Sequence, residues 1–181
     1  MIRLAWLVIL ILSLFSSLKA QDSLETTPKA ELFGGYSYAG TGSHGFTASV
    51  AGNVNDWLGL VAEVGGQYTR LSDQGFTEKI RTHSVLFGPR LSLRRRSRVV
   101  PFGHALFGVS HLKTETNEFG PPLTFSDTSF GMALGGGLDV RMTENLAIRA
   151  IQLDYLQTRF FGETQNKGRV SVGIVLRFGR K

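Results

Sequence analysis

Residues 130–141, FGMALGGGLDVR, alternate between two kinds of side chain. Phe130, Met132 and Leu134 begin a run of even positions that are apolar or glycine. The odd positions are small or, from Asp139 onward, charged. Successive side chains of a β-strand point to opposite faces, so this period of two predicts a strand with one apolar and one small or polar face.

The same alternation recurs along most of the chain after residue 30, and the sequence predicts eight strands. The last, residues 170–178, places valine, isoleucine, leucine and phenylalanine on one face and Ser171, Gly173 and Arg177 on the other. The length of 181 residues favours one domain, or at most two small ones.

Two segments do not alternate cleanly. Residues 146–160 change phase midway, and a one-residue bulge near Ala150 would restore the two faces. Residues 99–111 cannot be assigned faces, because Leu106 and Phe107 compete for the same one.

The connections between the segments alternate in length. Short turns are predicted at residues 52–56, 94–98 and 142–145. Longer loops are predicted at residues 39–45, 70–79, 112–127 and 158–167. Short periplasmic turns opposite long outward loops are typical of membrane barrels. The predicted fold class is therefore all-β, an eight-stranded antiparallel up-and-down transmembrane β-barrel.

Composition and the first residues limit the class of protein. The chain has 181 residues, a formal net charge of +6 and no cysteine, which excludes a disulfide scaffold and a cysteine-ligated metal site. Residues 1–20 combine a basic start, an apolar run and a small-residue exit at Ala20, as secretory signal peptides do. We expect a signal peptide at 1–20, a polar leader at 21–29 and the barrel at 30–181, with an uncleaved membrane anchor as the alternative.

The apolar face is expected to contact lipid, with aromatic side chains near both of its ends. Such belts suit rings that lie at the two lipid–water interfaces. The predicted belt residues are Tyr36, Tyr38, Phe46, Tyr68, Phe160 and Phe161 at the loop end, and Trp57, Phe102 and Phe178 at the turn end.

The second face decides between a membrane barrel and a soluble one. It offers only small and charged residues, too few of them charged to cover a protein in water. A soluble ligand-binding barrel would instead turn its apolar face inward, and it is the alternative that this pattern disfavours. The expected location is the bacterial outer membrane, reached by secretion.

Charged residues that alternate into the interior predict an ionic network in the lumen. An eight-stranded barrel is just wide enough to be filled by side chains, so opposite charges inside it should pair. We expect a plug that fixes the register of the strands and blocks diffusion, with a narrow, porin-like solute channel as the alternative. The predicted network comprises Glu31, Glu63, Arg90, Asp139, Arg149, Asp154 and Arg177.

The last three strands carry a family resemblance. The resemblance is to the outer membrane protein beta-barrel family, whose members resemble the OmpA transmembrane domain and OmpX. It is carried by residues 135–141, the turn at 142–145 and the segments 146–149 and 153–155. The resemblance implies an integral outer-membrane barrel whose loops serve surface interactions in some members. Residues 172–178 similarly resemble the C-terminal signal that the barrel-assembly machinery reads, so that machinery is an expected partner.

The sequence shows no pattern typical of a catalytic site or a metal site. The four histidines, His44, His83, His104 and His111, show no metal-ligand spacing and are expected at solvated or rim positions. The barrel-type lipid A deacylases use a histidine with a serine two residues later. None of the four histidines here is followed by serine at that position, so an enzyme is not expected. No cofactor is expected either.

The basic run at residues 94–98, RRRSR, is predicted to be a solvated turn at the phosphates of the lipid headgroups. A secreted chain meets no nucleic acid, so a nucleic-acid partner is not expected. The remaining expected partners are outer-membrane lipid and lipopolysaccharide, together with a surface ligand that the sequence does not identify. The expected function is a structural or surface-interaction role through the extracellular loops; the alternatives are the channel and, less favoured, a lipid-modifying enzyme.

Overall fold

The computed structural model describes residues 27–40, 42–73, 76–94, 97–117, 123–160 and 163–179. The predicted signal peptide and most of the predicted leader lie outside these residues. At the end of the leader, Thr27 donates from Oγ1 to Oδ1 of Asp56 at 2.8 Å, and Asn53 donates from Nδ2 to the carbonyl of Pro28 at 2.8 Å. These bonds fix the start of the barrel to the turn between its second and third strands.

Eight antiparallel strands form a closed barrel in which each strand pairs with its neighbours in sequence and the first pairs with the last. The predicted fold class is confirmed. The strands are β1 Ala30–Ala39, β2 Ser43–Asn53, β3 Leu58–Asp73, β4 Phe76–Ser92, β5 Val99–Asn117, β6 Leu123–Arg141, β7 Leu146–Phe160 and β8 Glu163–Phe178.

The bulge predicted near Ala150 is present. Leu138 of β6 pairs with Ile151 of β7, whereas the next residue, Asp139, pairs with Arg149, so Ala150 has no partner in this register. The pairing of β7 with β8 shifts at the same place. The extra residue lets both Arg149 and Gln152 point into the lumen although they are three positions apart.

Three of the predicted loops, residues 70–79, 112–127 and 158–167, are mostly strand. In the last of them, β7 reaches Phe160 and β8 begins at Glu163. Residues 70–79 continue β3 and β4 as a hairpin, and most of residues 112–127 belong to β5 and β6. The polar sequence there favoured loops, but threonine and phenylalanine, which all three segments contain, fit a strand well. A hairpin already in register also extends without closing a new loop. The hairpin of β1 and β2 turns early, since β1 ends at Ala39 and β2 begins at Ser43. The wall of the barrel is therefore taller on the side of β3 to β6.

The interior is a packed core, and the prediction that it holds only small and charged residues is wrong. Leu106 of β5 is fully buried while Phe107 is 46% exposed, which settles the faces of the strand that the sequence left open. Apolar side chains are needed because an eight-stranded barrel must be filled to ordinary packing density. Two clusters fill it, Ala51, Val61, Leu86, Leu106 and Ala133 packed with Leu156, and Phe33, Ala147 and Val175.

The outer face is apolar around the barrel, and most of the predicted belt residues lie on it. Its exposed aromatic side chains include Tyr36, Tyr38, Phe46, Trp57, Tyr68 and Phe178. Two belt predictions are wrong, since Phe102 and Phe160 are buried and face the lumen. Phe161 lies outside the described residues. Across the described ranges, no helix is long and apolar enough to span a membrane.

Candidate functional site

Four charged side chains form a cluster inside the turn end of the barrel. Arg90 on β4 donates from Nη1 to Oε2 of Glu31 at 3.0 Å and from Nη2 to Oδ2 of Asp139 at 2.7 Å. Arg149 on β7 donates to both oxygens of Asp139, from Nε at 2.8 Å and from Nη2 at 3.1 Å. Two parallel bonds of this kind give strong, geometrically specific pairing. We call this group the lower cluster.

Two phenylalanine rings contact the arginines of the lower cluster. The guanidinium carbon of Arg90 lies 4.1 Å from the centroid of the Phe102 ring, and that of Arg149 lies 4.3 Å from the same ring. Arg149 also lies 4.1 Å from the centroid of Phe33. These cation–π contacts explain why Phe102 faces inward: its ring keeps two like charges apart while attracting both.

A second group, the upper cluster, surrounds Arg169 of β8, which is 2% exposed. Arg169 donates from Nε and Nη2 to Oδ2 of Asp154 at 2.9 and 2.7 Å, and it forms an ion pair with Glu63. His104 contacts the other oxygen of Asp154 at 2.8 Å through Nε2. The prediction that His104 is solvated or at the rim is therefore wrong.

Gln152 joins the two clusters into one network. Its Oε1 accepts from Nη1 of Arg149 at 2.7 Å, and its Nε2 donates to Oδ2 of Asp154 at 2.8 Å. The sequence analysis missed both Gln152 and Arg169. Arg169 has the same parity as Ser171 and Arg177, so extending the alternation of β8 by one residue would have found it.

Two further arginines close the network at the turn end. Arg94 donates from Nη2 to Oδ1 of Asn53 at 3.0 Å and to Oε1 of Glu31 at 3.4 Å. Burial lowers the pKa of Arg94, and the charge of Glu31 opposes that shift. Arg94 is thus not the solvated turn residue that the sequence predicted. Nε of Arg177 lies 3.9 Å from Oε1 of Glu31.

All seven predicted interior charges are buried in the lumen, and each takes part in this connected set, which we call the lumen network. With the residues that the sequence missed, it contains four carboxylates and five guanidinium groups, so its charges nearly balance. Such a network is stable only when its members are paired and hydrogen-bonded. Each of these charged groups has at least one ion-pair or hydrogen-bond partner, and within the part of the chain that the structure describes, Nε of Arg90 is the one nitrogen of these five arginines that is buried without a hydrogen bond. Its carboxylates are Glu31, Glu63, Asp139 and Asp154, and its guanidinium groups are those of Arg90, Arg94, Arg149, Arg169 and Arg177.

The loop end of the lumen holds a cavity of about 130 Å³ whose wall is both polar and apolar. Its wall includes Gln67, Thr69, Thr82 and Lys167. Gln67 donates from Nε2 to Oγ of Ser37 at 2.6 Å. In the part of the chain that the structure describes, no group of three histidine, aspartate or glutamate side chains is arranged to hold a metal ion.

Above the membrane-spanning part, β3 to β6 form a protruding sheet. Its strands remain paired up to Asp73 with Phe76 and Thr116 with Leu123. On the far side of β6, however, pairing with β7 begins only at Gly131 with Thr158. Residues 123–130 of β6 therefore have register partners on β5 alone, and we call them the β6 edge.

The model of the outer membrane protein beta-barrel domain matches residues 7–178. The chain belongs to this family. The match confirms the resemblance predicted from the last three strands, and membership makes the chain an outer-membrane barrel protein. No curated protein sequence matches the chain.

Solved structures have the same fold at low identity. Ail, the attachment invasion locus protein of Yersinia pestis, is 18% identical with a TM-score of 0.65, over 84% of this chain and 100% of that chain. A major outer membrane protein from Thermus thermophilus is 14% identical with a TM-score of 0.59, over 84% and 100%. Neisserial surface protein A is 17% identical with a TM-score of 0.52, over 82% and 94%. These likenesses establish the fold alone.

Proposed function

We propose that this protein is a non-enzymatic surface-interaction protein of the outer membrane, which binds an extended polypeptide segment through the β6 edge. The lumen network is, in this proposal, a plug that keeps the barrel closed to solutes. With the short turns in the periplasm, as in other membrane barrels, the protruding sheet stands on the cell surface.

The observation that carries the proposal is the length of the β6 edge. Eight residues of β6, from Leu123 to Phe130, are paired on one side only in the described register. The edge of a sheet presents backbone donors and acceptors to which another extended chain can add as a strand. Backbone hydrogen bonds then supply affinity, and the side chains along the strand supply specificity.

The composition of the β6 edge supports the same role. Exposed sheet edges are usually protected by lysine, proline or a bulge. Leu123–Phe130 contains one charged residue, Asp127, and neither lysine, arginine nor proline, and its register with β5 runs without a shift. Phe125 and Phe130 are both more than half exposed along it. By contrast, the corresponding end of β8, which extends beyond β1, carries Glu163 and Lys167.

The names of similar structures agree with a surface role, although they describe other proteins. Ail is an attachment invasion locus protein, and it has been solved in complex with the heparin analogue sucrose octasulfate. The Neisserial relative is a surface protein. A solute channel, the alternative that the sequence left open, is disfavoured because the lumen network fills the interior with paired side chains.

The test uses the full protein in lipid nanodiscs and a random-peptide library displayed on phage. In the variant T124K/S126K, two exposed residues of the β6 edge become lysine; T164K/N166K makes the same change of charge on β8. We expect peptides that bind the wild type and the β8 variant but lose at least about tenfold in affinity for the β6 variant. Enrichment no greater than on empty nanodiscs, or equal binding to all three proteins, would contradict the proposal.

A further inference from the structure

The outward side of β3, β4 and β5 carries four cations at the loop end of the membrane-spanning wall. We propose that this group, the basic patch, binds the phosphate groups of lipopolysaccharide in the outer leaflet, in addition to the proposed role of the β6 edge. The basic patch consists of Arg70, Lys79, Arg81 and Lys113.

The sheet register brings the four cations together. Arg81 of β4 pairs with Lys113 of β5 on one side and with Tyr68 of β3 on the other. Arg70 and Lys79 form the next outward-facing pair toward the loops. Directly opposed side chains on neighbouring strands lie about 5 Å apart at Cβ, so the four positive charges form one compact surface.

Alternation along the strands places these side chains outside the barrel. Tyr68, Val85 and Val109 are exposed on the outer face, and the four cations share parity with them on β3, β4 and β5. The side chains of Arg81 and Lys113 are 46% and 42% exposed. None of the four therefore belongs to the lumen network.

The tyrosines of the outer face indicate the height of the basic patch. Tyr36, Tyr38 and Tyr68 lie near the loop end of the wall, where amphipathic rings mark the level of the lipid headgroups. Arg81 and Lys113 lie in the same cross-strand row as Tyr68. Arg70 and Lys79 are two residues higher, about 7 Å along the strand, and long basic side chains reach headgroup phosphates over such distances.

One carboxylate lies within the basic patch, but it does not cancel the positive charge of the patch. Oε1 of Glu115 accepts from Nζ of Lys113 at 2.9 Å, and Oε2 lies 4.0 Å from Nη2 of Arg81. The hydrogen bond and charge of Lys113, with a smaller contribution from Arg81, hold the pKa of Glu115 below its ordinary value. Glu115 is thus ionised at neutral pH, and four cations against one carboxylate leave a net charge of +3.

The opposite wall lacks such a concentration of charge. The outward-facing positions of β6, β7 and β8 at the loop end are mostly uncharged, with Arg159 as the cation among those described. An arc of cations confined to three neighbouring strands fits a ligand with several phosphates, and each Lys or Arg near an anionic surface strengthens attraction to it. The uncharged positions are Thr124, Ser126, Thr128, Gln157, Thr164 and Asn166.

The test measures the affinity of the refolded full-length barrel for bisphosphorylated lipid A in mixed micelles. We expect R70Q/K79Q/R81Q/K113Q to bind at least about tenfold more weakly than the wild type. R159Q, an outward arginine outside the patch, should bind as the wild type does. E115Q should bind more tightly, because it removes the competing carboxylate.

The source of the phosphate is tested by two further probes. Dephosphorylated lipid A should bind the wild type at least about tenfold more weakly, and inorganic phosphate should fail to displace lipid A at millimolar concentration. A quadruple variant with wild-type affinity, or displacement by inorganic phosphate alone, would overturn the proposal. If the quadruple variant does not fold, the doubles R70Q/K79Q and R81Q/K113Q replace it, and unchanged affinity in both would overturn the proposal equally.

Discussion

Arg169 and Asp154 are direct cross-strand partners on β8 and β7, and two hydrogen bonds of 2.9 and 2.7 Å join them inside the lumen. The same arginine pairs with Glu63 of β3, which lies on the opposite part of the wall. One side chain therefore ties together strands that are distant in sequence. A connection of this kind across the interior stabilises the closed barrel against unfolding, and the proposed plug depends on it.

Replacing Arg169 should destabilise the barrel strongly. Arg169→Met leaves Glu63 and Asp154 buried without their principal partner, and breaking a buried pair in this way costs about 3–5 kcal/mol. The free energy of unfolding, measured by urea titration in detergent micelles, should fall by that amount. Arg159→Met is the matched control, since Arg159 is exposed on the neighbouring strand and its loss should change stability by about 0.5 kcal/mol or less. Equal effects of the two substitutions would show that the upper cluster contributes nothing specific.

The aromatic ring of Phe102 should contribute more to the stability of the barrel than the volume of the side chain does. Phe102→Leu keeps an apolar side chain of similar size but removes the ring that lies 4.1 Å from Arg90 and 4.3 Å from Arg149. We expect the free energy of unfolding to fall by about 1–3 kcal/mol, because two cation–π contacts are lost and two like charges are no longer separated. Phe107→Leu, on the same strand but on the outer face, should cost clearly less. A larger effect at Phe107 would contradict the role assigned to Phe102.

Deleting Ala150 should prevent correct folding. Without the bulge, either Arg149 or Gln152 must turn from the lumen toward lipid, since a shift of one residue reverses the faces of a strand. Arg149 lies three residues from the turn end of β7, where an arginine facing lipid costs about 1 kcal/mol, less than at the bilayer midplane. The lower cluster would also lose a member, and breaking a buried ion pair costs about 3–5 kcal/mol. The deletion should abolish the mobility difference between unboiled and boiled samples on a gel. Ala150→Gly keeps the residue count and should retain that difference.

Most of the fold was predictable from the alternation of side chains along the sequence. A period of two in residues 130–141 and 170–178 was enough for strand identity, faces and closure, and the phase change near Ala150 located the bulge. Strand length was harder, because the polar extensions of β3 to β6 have no membrane contact to give them an apolar face. The β6 edge was not predictable, because it depends on the position at which β7 stops pairing with β6. That position is set by both strands together and not by the sequence of either one.

The charged residues of the lumen were predicted better than the large apolar side chains that fill it. Alternation found seven of its charged residues, but it treated aromatic side chains as outward, so Phe102 and Phe160 were misplaced. Filling a narrow barrel requires large side chains inside, and a ring between two arginines meets that need. The prediction for Arg94 was wrong because a run of arginines after a strand looks solvated. Its acceptors, the carbonyl of Asp56 and the side chains of Asn53 and Glu31, come from segments distant in sequence.

The central claim is that the lumen network closes the barrel and that the protein acts through its surface. Single-channel recording of the purified wild type in planar bilayers tests this most directly, with E63A/D154A/R169A as a variant whose upper cluster is removed. We expect no unit conductance from the wild type and measurable openings from the variant. Reproducible unit steps from the wild type, at a conductance that the variant leaves unchanged, would contradict it and favour the solute channel.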